Sequence, residues 1–166
     1  TDPVDPNKQV VDGKHRSQGV ELDVSGEPLK GLSIIASYAY IDAIVAQSTD
    51  YLVGGSLPNA AKHTASLWVS YDWKLGDDST LSFGGGGNYQ SRRLTHTPVS
   101  EADKIVMPGY VVVDAMIAYV RDHWRVALNL SNLADKRYYE SSTGYGGAVI
   151  YPGQPRSWRL SLSRRF

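Results

Sequence analysis

Cysteine is absent from this 166-residue sequence, and phenylalanine and methionine occur only twice each. Without cysteine the chain can form no disulfide, carry no thiolate nucleophile and hold no cysteine-ligated zinc or iron–sulfur cluster. No apolar run approaches the roughly 18 residues that a membrane-spanning helix needs. The residues that are abundant, 16 glycines and 11 tyrosines, favour strands and turns over helices. The composition therefore excludes a disulfide-stapled domain and a helical membrane protein.

An excess of charge of one sign is also lacking, because 17 lysines and arginines balance 17 aspartates and glutamates. A neutral chain offers no basic footprint for phosphate backbones, so we expect no nucleic-acid partner. The four histidines, at positions 15, 63, 96 and 123, do not have the spacing of metal ligands. No nucleophile motif or triad spacing occurs either. The sequence predicts neither an enzyme nor a resident metal or cofactor.

Apolar and polar residues alternate along most of the chain, which is the pattern of strands with one apolar face. The clearest case is the C-terminal segment, where Trp158, Leu160, Leu162 and Phe166 share one face and serine and arginine occupy the other. The same alternation predicts strands at 20–24, 32–43, 65–73, 81–90, 109–120 and 125–131. We therefore expect an all-β antiparallel fold of about seven strands, many near the 9 to 11 residues that a tilted strand needs to cross a bilayer.

The connections between these strands alternate in length. Short polar turns are expected at 26–31, 74–79 and 121–123, and long loops at 44–61, 93–108 and 135–150. The long loops have roughly 15 to 18 residues each, which is uncommon for passive connections in a soluble domain. Short turns at one rim and long loops at the other are typical of a transmembrane β-barrel, with periplasmic turns and extracellular loops.

A soluble β-sandwich or a lipocalin-like small-molecule binding module is the alternative, because an apolar sheet face can also pack on a second sheet. In a membrane barrel the apolar face contacts lipid and the polar face lines a wet lumen. Aromatic residues near the strand ends, for example Tyr71, Trp73, Tyr119 and Trp124, suit interfacial belts. The alternating loop lengths favour the barrel. Within it, the run Gly84 to Gly87 predicts close packing or strand curvature, because no helix follows it.

Six short motifs follow one another along the chain. They are residues 19–22 (GVEL), 36–40 (ASYAY), 57–60 (LPNA), 108–110 (PGY), 128–139 (LNLSNLADKRYY) and 151–153 (YPG), the last preceding the Phe-terminated strand. Together they resemble, in order, the C-terminal part of the barrel in TonB-dependent outer-membrane receptors for ferric siderophores. The most specific motif is residues 128–139, which is similar to the penultimate strand of that family.

The resemblance implies a larger protein. Those receptors fold as a 22-stranded barrel filled by an N-terminal plug, which carries the box that contacts TonB, and they import ferric siderophores across the bacterial outer membrane. Residues 1–166 would then be the C-terminal portion of the barrel, with the plug absent. Seven strands cannot close such a barrel and would leave two edges unpaired in lipid. We therefore expect a receptor fragment, and the lack of a signal peptide agrees with this expectation.

The resemblance places ligand contacts at the extracellular rim, where aromatic rings and polar donors can hold an oxygen-rich iron chelate. Candidate contacts from two long loops are Arg92, Arg93, His96, Tyr138, Tyr139, Tyr145 and Tyr151. Iron is expected only within the ferric siderophore, so no cofactor is implied. TonB would act through the missing plug.

The last strand carries a second candidate site. Trp158, Leu160, Leu162 and Phe166 resemble the signal that the barrel-assembly machinery reads on outer-membrane proteins, which strand pairing could recognise. The same apolar face is expected to contact outer-membrane lipid once the barrel is assembled. Both roles are compatible, because recognition precedes insertion.

Overall fold

The computed structural model describes residues 13–143 and 149–166, and nearly all of its regular structure is β. Its strands are β1 (Lys14–Leu29), β2 (Leu32–Gln47), β3 (His63–Lys74), β4 (Ser79–Gln90), β5 (Arg93–Leu94), β6 (Val106–Met107), β7 (Tyr110–Arg121), β8 (Trp124–Ser131), β9 (Tyr139–Thr143), β10 (Val149–Pro152) and β11 (Ser157–Arg164). A 3-10 turn spans Glu101–Asp103. Among the described residues, no helix is both long enough and apolar enough to cross a membrane.

Seven strands form one antiparallel sheet in the order β1-β2-β3-β4-β7-β8-β11. Each strand pairs with the next long strand along the chain, which confirms the predicted count and arrangement. The sheet stays open, with free edges at β1 and β11. No second sheet covers its apolar face within the described residues, so the sandwich alternative is wrong for this part of the chain.

The first two strands are longer than the sequence predicts. β1 and β2 have 16 residues each and pair from Lys14 and Gln47 down to the turn at Leu29 and Leu32. Alternation predicts only 20–24 and 32–43, because it is interrupted beyond them: residues 14–19 are polar or glycine, and residues 44–46 are consecutively apolar. Backbone hydrogen bonding continues through those residues, since it does not depend on side-chain polarity.

Loop lengths follow the predicted alternation. Short turns join β1 to β2, β3 to β4 and β7 to β8, and two of them contain left-handed residues, Gly31 (φ 84°) and Asp122 (φ 50°), as tight hairpins require. The long loops are residues 48–62, 91–109 and 132–156, named here L1, L2 and L3. L2 contains the hairpin β5–β6, and L3 contains the described strands β9 and β10. The long loops therefore have internal structure.

The two faces of the sheet differ as predicted. One face presents exposed apolar side chains that lie directly opposite each other on neighbouring strands, such as Phe83 and Ile117, or Val126 and Leu162. The other face is mainly polar; for example, Ser37 and Ser66 hydroxyls lie 2.8 Å apart. In a barrel these become the lipid face and the lumen face.

Aromatic side chains gather at both ends of the apolar face. Near the short turns lie Trp73, Tyr119 and Trp124, and near the long loops the Tyr38 hydroxyl bonds His63 Nδ1 at 2.8 Å. Arg164 occupies an apolar position of β11, and its guanidinium lies 5.2 Å from the Trp124 ring centroid. This cation–π contact accommodates the charge at the edge of the apolar band. β11 ends at Arg164, so the predicted extension of the strand to Phe166 is wrong by two residues.

The glycine run packs as predicted at two of its positions. The Trp68 ring lies across Gly84 and Gly86 on the lumen face, where a Cβ on either glycine would lie 2.7 Å from a ring carbon. A Cβ on Gly86 would also meet the Leu67 backbone. Only glycine at these two positions leaves room for the Trp68 ring on the polar face.

Gly86→Ala should destabilise the barrel by on the order of 1–3 kcal/mol, because the added methyl must displace Trp68 and the facing backbone. The matched control is Gly85→Ala on the other face, where the nearest contact would be Asp114 O at 3.6 Å. The temperature at which the purified full-length receptor loses its folded mobility in electrophoresis measures the difference. Equal transition temperatures for the two variants would contradict this packing argument.

Candidate ligand-binding loops

The three long loops lie at the same end of the sheet and are hydrogen-bonded to one another. Leu52 N of L1 donates to Pro98 O of L2 at 2.8 Å, and Asn59 N donates to Leu94 O at 2.9 Å. Pro98, Met107 and Val45 are fully buried between the loops and the upper part of β2. L1 and L2 therefore form one packed body above the sheet.

The side-chain amide of Asn59 joins L1 to L3 through two hydrogen bonds to the backbone of Ser142. Its Nδ2 donates to Ser142 O at 2.9 Å, and its Oδ1 accepts from Ser142 N at 2.9 Å. The Ser142 hydroxyl also donates to Thr95 O of L2 at 2.7 Å. Asn59 has φ 57°, a left-handed conformation that asparagine tolerates better than most residues. One asparagine and one serine thus connect all three loops, and L1, L2 and L3 together are called the loop body below.

Arg93 anchors L3 from the base of L2. Its side chain is buried, with the residue only 3% exposed, and Nη2 donates to the carbonyls of Tyr139 at 2.7 Å and Glu140 at 2.6 Å. Its guanidinium carbon lies 5.5 Å from the Tyr110 ring centroid, within cation–π range. Arg93 therefore holds β9 against the top of β7.

Tyr138 stacks on the same tyrosine. The Tyr110 and Tyr138 ring centroids are 4.3 Å apart at an interplanar angle of 40°. Tyr138 also covers Gly153, where any Cβ would overlap the phenol ring. Arg93, Tyr110 and Tyr138 form a column that connects the lumen face of β7 to L3.

Asn132 closes the base of L3. It is 2% exposed and has φ 51°; its Nδ2 donates to Lys136 O and Gln154 O, both at 2.9 Å, and its Oδ1 accepts from Lys136 N at 2.8 Å. Its own N–H donates to Asp114 Oδ1 at 2.8 Å, on the lumen side of β7. One side chain thus fixes both ends of the loop to the sheet.

Five of the seven candidate ligand contacts line three separate cavities rather than one pocket. Tyr138 and Tyr139 line a cavity of about 570 Å³ with Tyr110, Lys136 and Arg137. His96 lines a second cavity of about 610 Å³. Arg92 and Arg93 line a third cavity of about 450 Å³. All three lie among the loops, at the mouth of the barrel.

Their exposures differ. Arg92, Tyr139 and Tyr151 are exposed, Tyr138 and His96 are half-buried, and Arg93 is buried. Tyr145 falls outside the described residues. Exposed side chains are free to meet a ligand, whereas the contacts of Arg93 are used within the loops. The ligand role of each candidate stays a prediction.

His96 belongs to a polar turn in L2. Its Nε2 lies 3.0 Å from Asp103 Oδ2, and its Nδ1 lies 3.0 Å from the Thr95 hydroxyl. Val99 N also donates to Asp103 Oδ2 at 3.0 Å. This backbone hydrogen bond, followed by that of His96, holds the pKa of Asp103 below its ordinary value. The carboxylate therefore stabilises the turn between residues 95 and 103.

Acidification should loosen this turn. A carboxyl whose pKa is lowered in the folded state contributes stability above its unfolded pKa of about 4 and loses it as pH falls through the lower folded value. Hydrogen exchange of residues 95–103 in the full-length receptor should rise below about pH 4. Asp103→Asn should already exchange faster at neutral pH and show little further acid dependence. An acid response that Asp103→Asn leaves intact would contradict this assignment.

Three of the four predicted assembly-signal residues share the apolar face of β11, and their role in assembly stays a prediction. Trp158, Leu160 and Leu162 point to the apolar face of β11 and are 72%, 64% and 65% exposed. Phe166 lies beyond the strand end, its ring 5.1 Å from the Arg164 guanidinium carbon. One edge of β11 pairs with β8, and the other is the free edge of the sheet. A strand with one free edge and an apolar face is what recognition by strand addition needs.

Sequence reasoning missed the residues that connect the loops. Asn59, Asn132 and Ser142 occupy loop positions where a polar residue is unremarkable in sequence. The sequence feature that could have pointed to the two asparagines is their place in the motifs LPNA and LSNLADK. Asparagine favours left-handed turn positions, and both residues have positive φ. Among the described residues, no group of three or more histidine, aspartate or glutamate side chains could hold a metal ion.

An open antiparallel sheet with one exposed apolar face, one polar face and long packed loops at one end is part of the wall and mouth of a membrane β-barrel. Comparison with known proteins assigns the family. The family described as TonB dependent receptor-like, beta-barrel matches residues 1–133, and the chain belongs to it. The chain is accordingly part of an outer-membrane protein.

Named relatives are receptors. The chain is 34% identical over 166 residues to the metal-pseudopaline receptor CntO of Pseudomonas aeruginosa, and 34% identical over 165 residues to the ferric-pyoverdine M114 receptor PbuA of a Pseudomonas strain. These alignments cover 99% and 98% of this chain. The crystal structure of the ferric-catecholate import receptor Fiu of Escherichia coli superposes with a TM-score of 0.77 at 28% identity over 93% of the chain.

The chain is much shorter than these proteins. It spans 23% of the metal-pseudopaline receptor, 20% of the ferric-pyoverdine receptor and 21% of the ferric-catecholate receptor chain. The open edges at β1 and β11 agree with this share, because a barrel of the family's size needs many more strands.

Proposed function

We propose that the receptor to which this chain belongs imports a ferric siderophore across the outer membrane in a TonB-dependent manner. The observation that carries the proposal is the packed loop body above the barrel wall, in which Arg93 and Asn132 hold L3 and its tyrosines at the mouth. Rigid aromatic side chains with nearby cations suit a bulky, oxygen-rich chelate. The named receptors for ferric pyoverdine and metal-pseudopaline support this class of ligand.

Within that receptor, we assign residues 1–166 to the C-terminal part of the barrel. TonB would act through a plug domain, which these residues do not include, so this segment supplies wall and loops rather than energy coupling. The apolar face of β11 would first be read by the assembly machinery and then contact lipid. A siderophore is released with its iron unchanged, so neither catalysis nor a cofactor is part of this proposal.

Iron uptake by cells tests the import function. A strain without its own siderophore receptors should gain uptake of radiolabelled iron when it produces the full-length receptor and is offered the right chelate from a panel of ferrioxamine B, ferrichrome, ferric pyoverdine and ferric catecholates. Uptake should vanish when TonB is deleted. Uptake that is independent of TonB, or binding of none of these chelates, would count against the proposal.

Ligand contacts are tested on the exposed tyrosines. Tyr139→Ala and Tyr151→Ala should each lower the affinity of the full-length receptor for the transported chelate about tenfold, the scale at which removal of one aromatic contact is felt. Tyr119→Ala, at the opposite end of the barrel wall, is the control and should leave affinity unchanged. Arg92→Ala and His96→Ala extend the test to the other loop. An unchanged affinity removes that residue from the binding surface.

A further inference from the structure

The cavity between L1 and L2 is lined by cations with no acidic side chain among its walls. Its lining includes the cations Lys62, Arg92, Arg93 and Lys104, together with His63 and the Ser91 hydroxyl, around a volume of about 450 Å³. Its walls come from L1, the first residue of β3 and L2. A cavity of this composition favours an anionic group.

Two of these cations are already paired. Lys62 Nζ lies 3.2 Å from Asp42 Oδ1, and Lys104 Nζ lies 2.7 Å from Glu101 Oε2. Both carboxylates are shared or exposed, since Asp42 also pairs with Arg16 and the Glu101 side chain is 76% exposed. Both lysines therefore have carboxylate partners that lie outside the cavity lining.

The two arginines differ from the lysines in their ion pairing. Arg93 is buried, yet its Nε and Nη1 have no hydrogen-bond partner, and no carboxylate pairs with it among residues 13–143 and 149–166. Arg92 has no carboxylate partner in the same ranges. Buried donors are normally satisfied, and an unpaired buried cation is costly. Arg93 therefore adds positive charge to the wall of this cavity, while its two unpaired donor atoms are themselves buried.

The position of the cavity along the strands, and the sheet face on which it lies, show which part of the membrane it meets. His63 shares the apolar face with Tyr38 and Tyr40, and its ring centroid lies 5.2 Å from that of Tyr40, in the aromatic belt near the long loops. Lys62 comes next, on the loop side of that belt. Aromatic belts mark the boundary between hydrocarbon and headgroups. The cavity therefore opens at the level of the outer-leaflet headgroups.

We propose that this cavity binds a phosphate group of a phosphorylated glycolipid in the outer leaflet of the membrane. The exposed Arg92 guanidinium can bind phosphate oxygens in a bidentate manner, and the Ser91 hydroxyl and the Lys104 ammonium can supply further donors. The belt formed by Tyr38, Tyr40 and His63 would contact the start of the acyl chains. The proposal depends on the orientation of the barrel and not on which chelate is imported.

Lipid retention by the purified full-length receptor tests this site. Native mass spectrometry should show binding of lipid A that carries its phosphate groups and weak binding of lipid A from which they have been removed. Arg92→Gln should lower the affinity for the phosphorylated form about tenfold, because it removes a charge-assisted contact. Lys62→Gln and Lys104→Gln should also lower it. Arg156→Gln, an exposed arginine of L3 outside this cavity, is the control.

Two results would overturn the proposal. One is equal retention of phosphorylated and phosphate-free lipid A. The other is that Lys62→Gln and Lys104→Gln leave lipid retention unchanged and weaken ferric-chelate binding instead. That result would identify the ferric chelate as the ligand of this cavity. Iron uptake is measured separately, so a failure of the import function and a failure of the lipid site are distinguishable.

Discussion

Arg93→Ala should release L3 from the loop body. The variant leaves the carbonyls of Tyr139 and Glu140 without their donor and removes the cation from the Tyr110 ring. The free energy that keeps L3 closed should fall by on the order of 2 kcal/mol, the scale for loss of hydrogen bonds to a charged group. Chymotrypsin added to intact cells should then cut L3 roughly thirtyfold faster, because cleavage follows the open population.

Arg92→Ala is the matched control for this experiment. Its side chain is adjacent, has the same charge and is exposed, and it donates no hydrogen bond to L3 among the described residues. Cleavage of L3 should stay at the level of the unmodified receptor. Arg93→Lys should fall between the two, since an ammonium keeps the charge and loses the planar guanidinium. If Arg92→Ala and Arg93→Ala are cleaved at the same rate, Arg93 is not the anchor of L3.

Asn132→Ala should open L3 at its base. The substitution removes three side-chain hydrogen bonds from a nearly fully buried position and places alanine at φ 51°, where it is strained. We expect a loss of about 3 kcal/mol in the local stability of the loop, from buried groups left without partners. Hydrogen exchange of residues 132–143 and 149–156 should accelerate about a hundredfold.

Asn132→Asp separates hydrogen bonding from backbone conformation. Aspartate also tolerates the left-handed region and can still accept from Lys136 N, but it turns a carboxylate toward the carbonyls of Lys136 and Gln154. Exchange should therefore be as fast as in Asn132→Ala. Asn129→Ala, on β8, is the control and should leave L3 unchanged. Protection that survives in Asn132→Asp would show that the left-handed backbone, rather than the amide, closes the loop.

The strands of the barrel wall could be predicted from sequence because they depend on a local pattern, the alternation of apolar and polar residues. Alternation places Phe83, Ile117 and Leu128 on one face whatever the rest of the chain does, and hairpin pairing of consecutive strands sets the register. Glycine beside an aromatic strand predicts close packing, and Trp68 lies over Gly84 and Gly86. Where alternation stops, at the upper ends of β1 and β2, the prediction also stops.

The loop body could not be predicted, because its contacts join distant residues. Asn59 and Ser142 are 83 positions apart, and Arg93 is 46 positions from Tyr139. Nothing in the neighbourhood of any of these residues encodes its partner. For the same reason sequence reasoning treated Arg93 only as a ligand contact, whereas the structure gives it a role inside the loops.

The most direct test of the account is the side of the membrane on which each end of the sheet lies. The segment has no cysteine of its own, so Glu101→Cys in L2 and Asp77→Cys in the turn between β3 and β4 place single thiols at opposite ends of the wall. A membrane-impermeant maleimide should label the first on intact cells and the second only after the outer membrane is permeabilised. Labelling of Asp77→Cys on intact cells, with Glu101→Cys protected, would contradict the account.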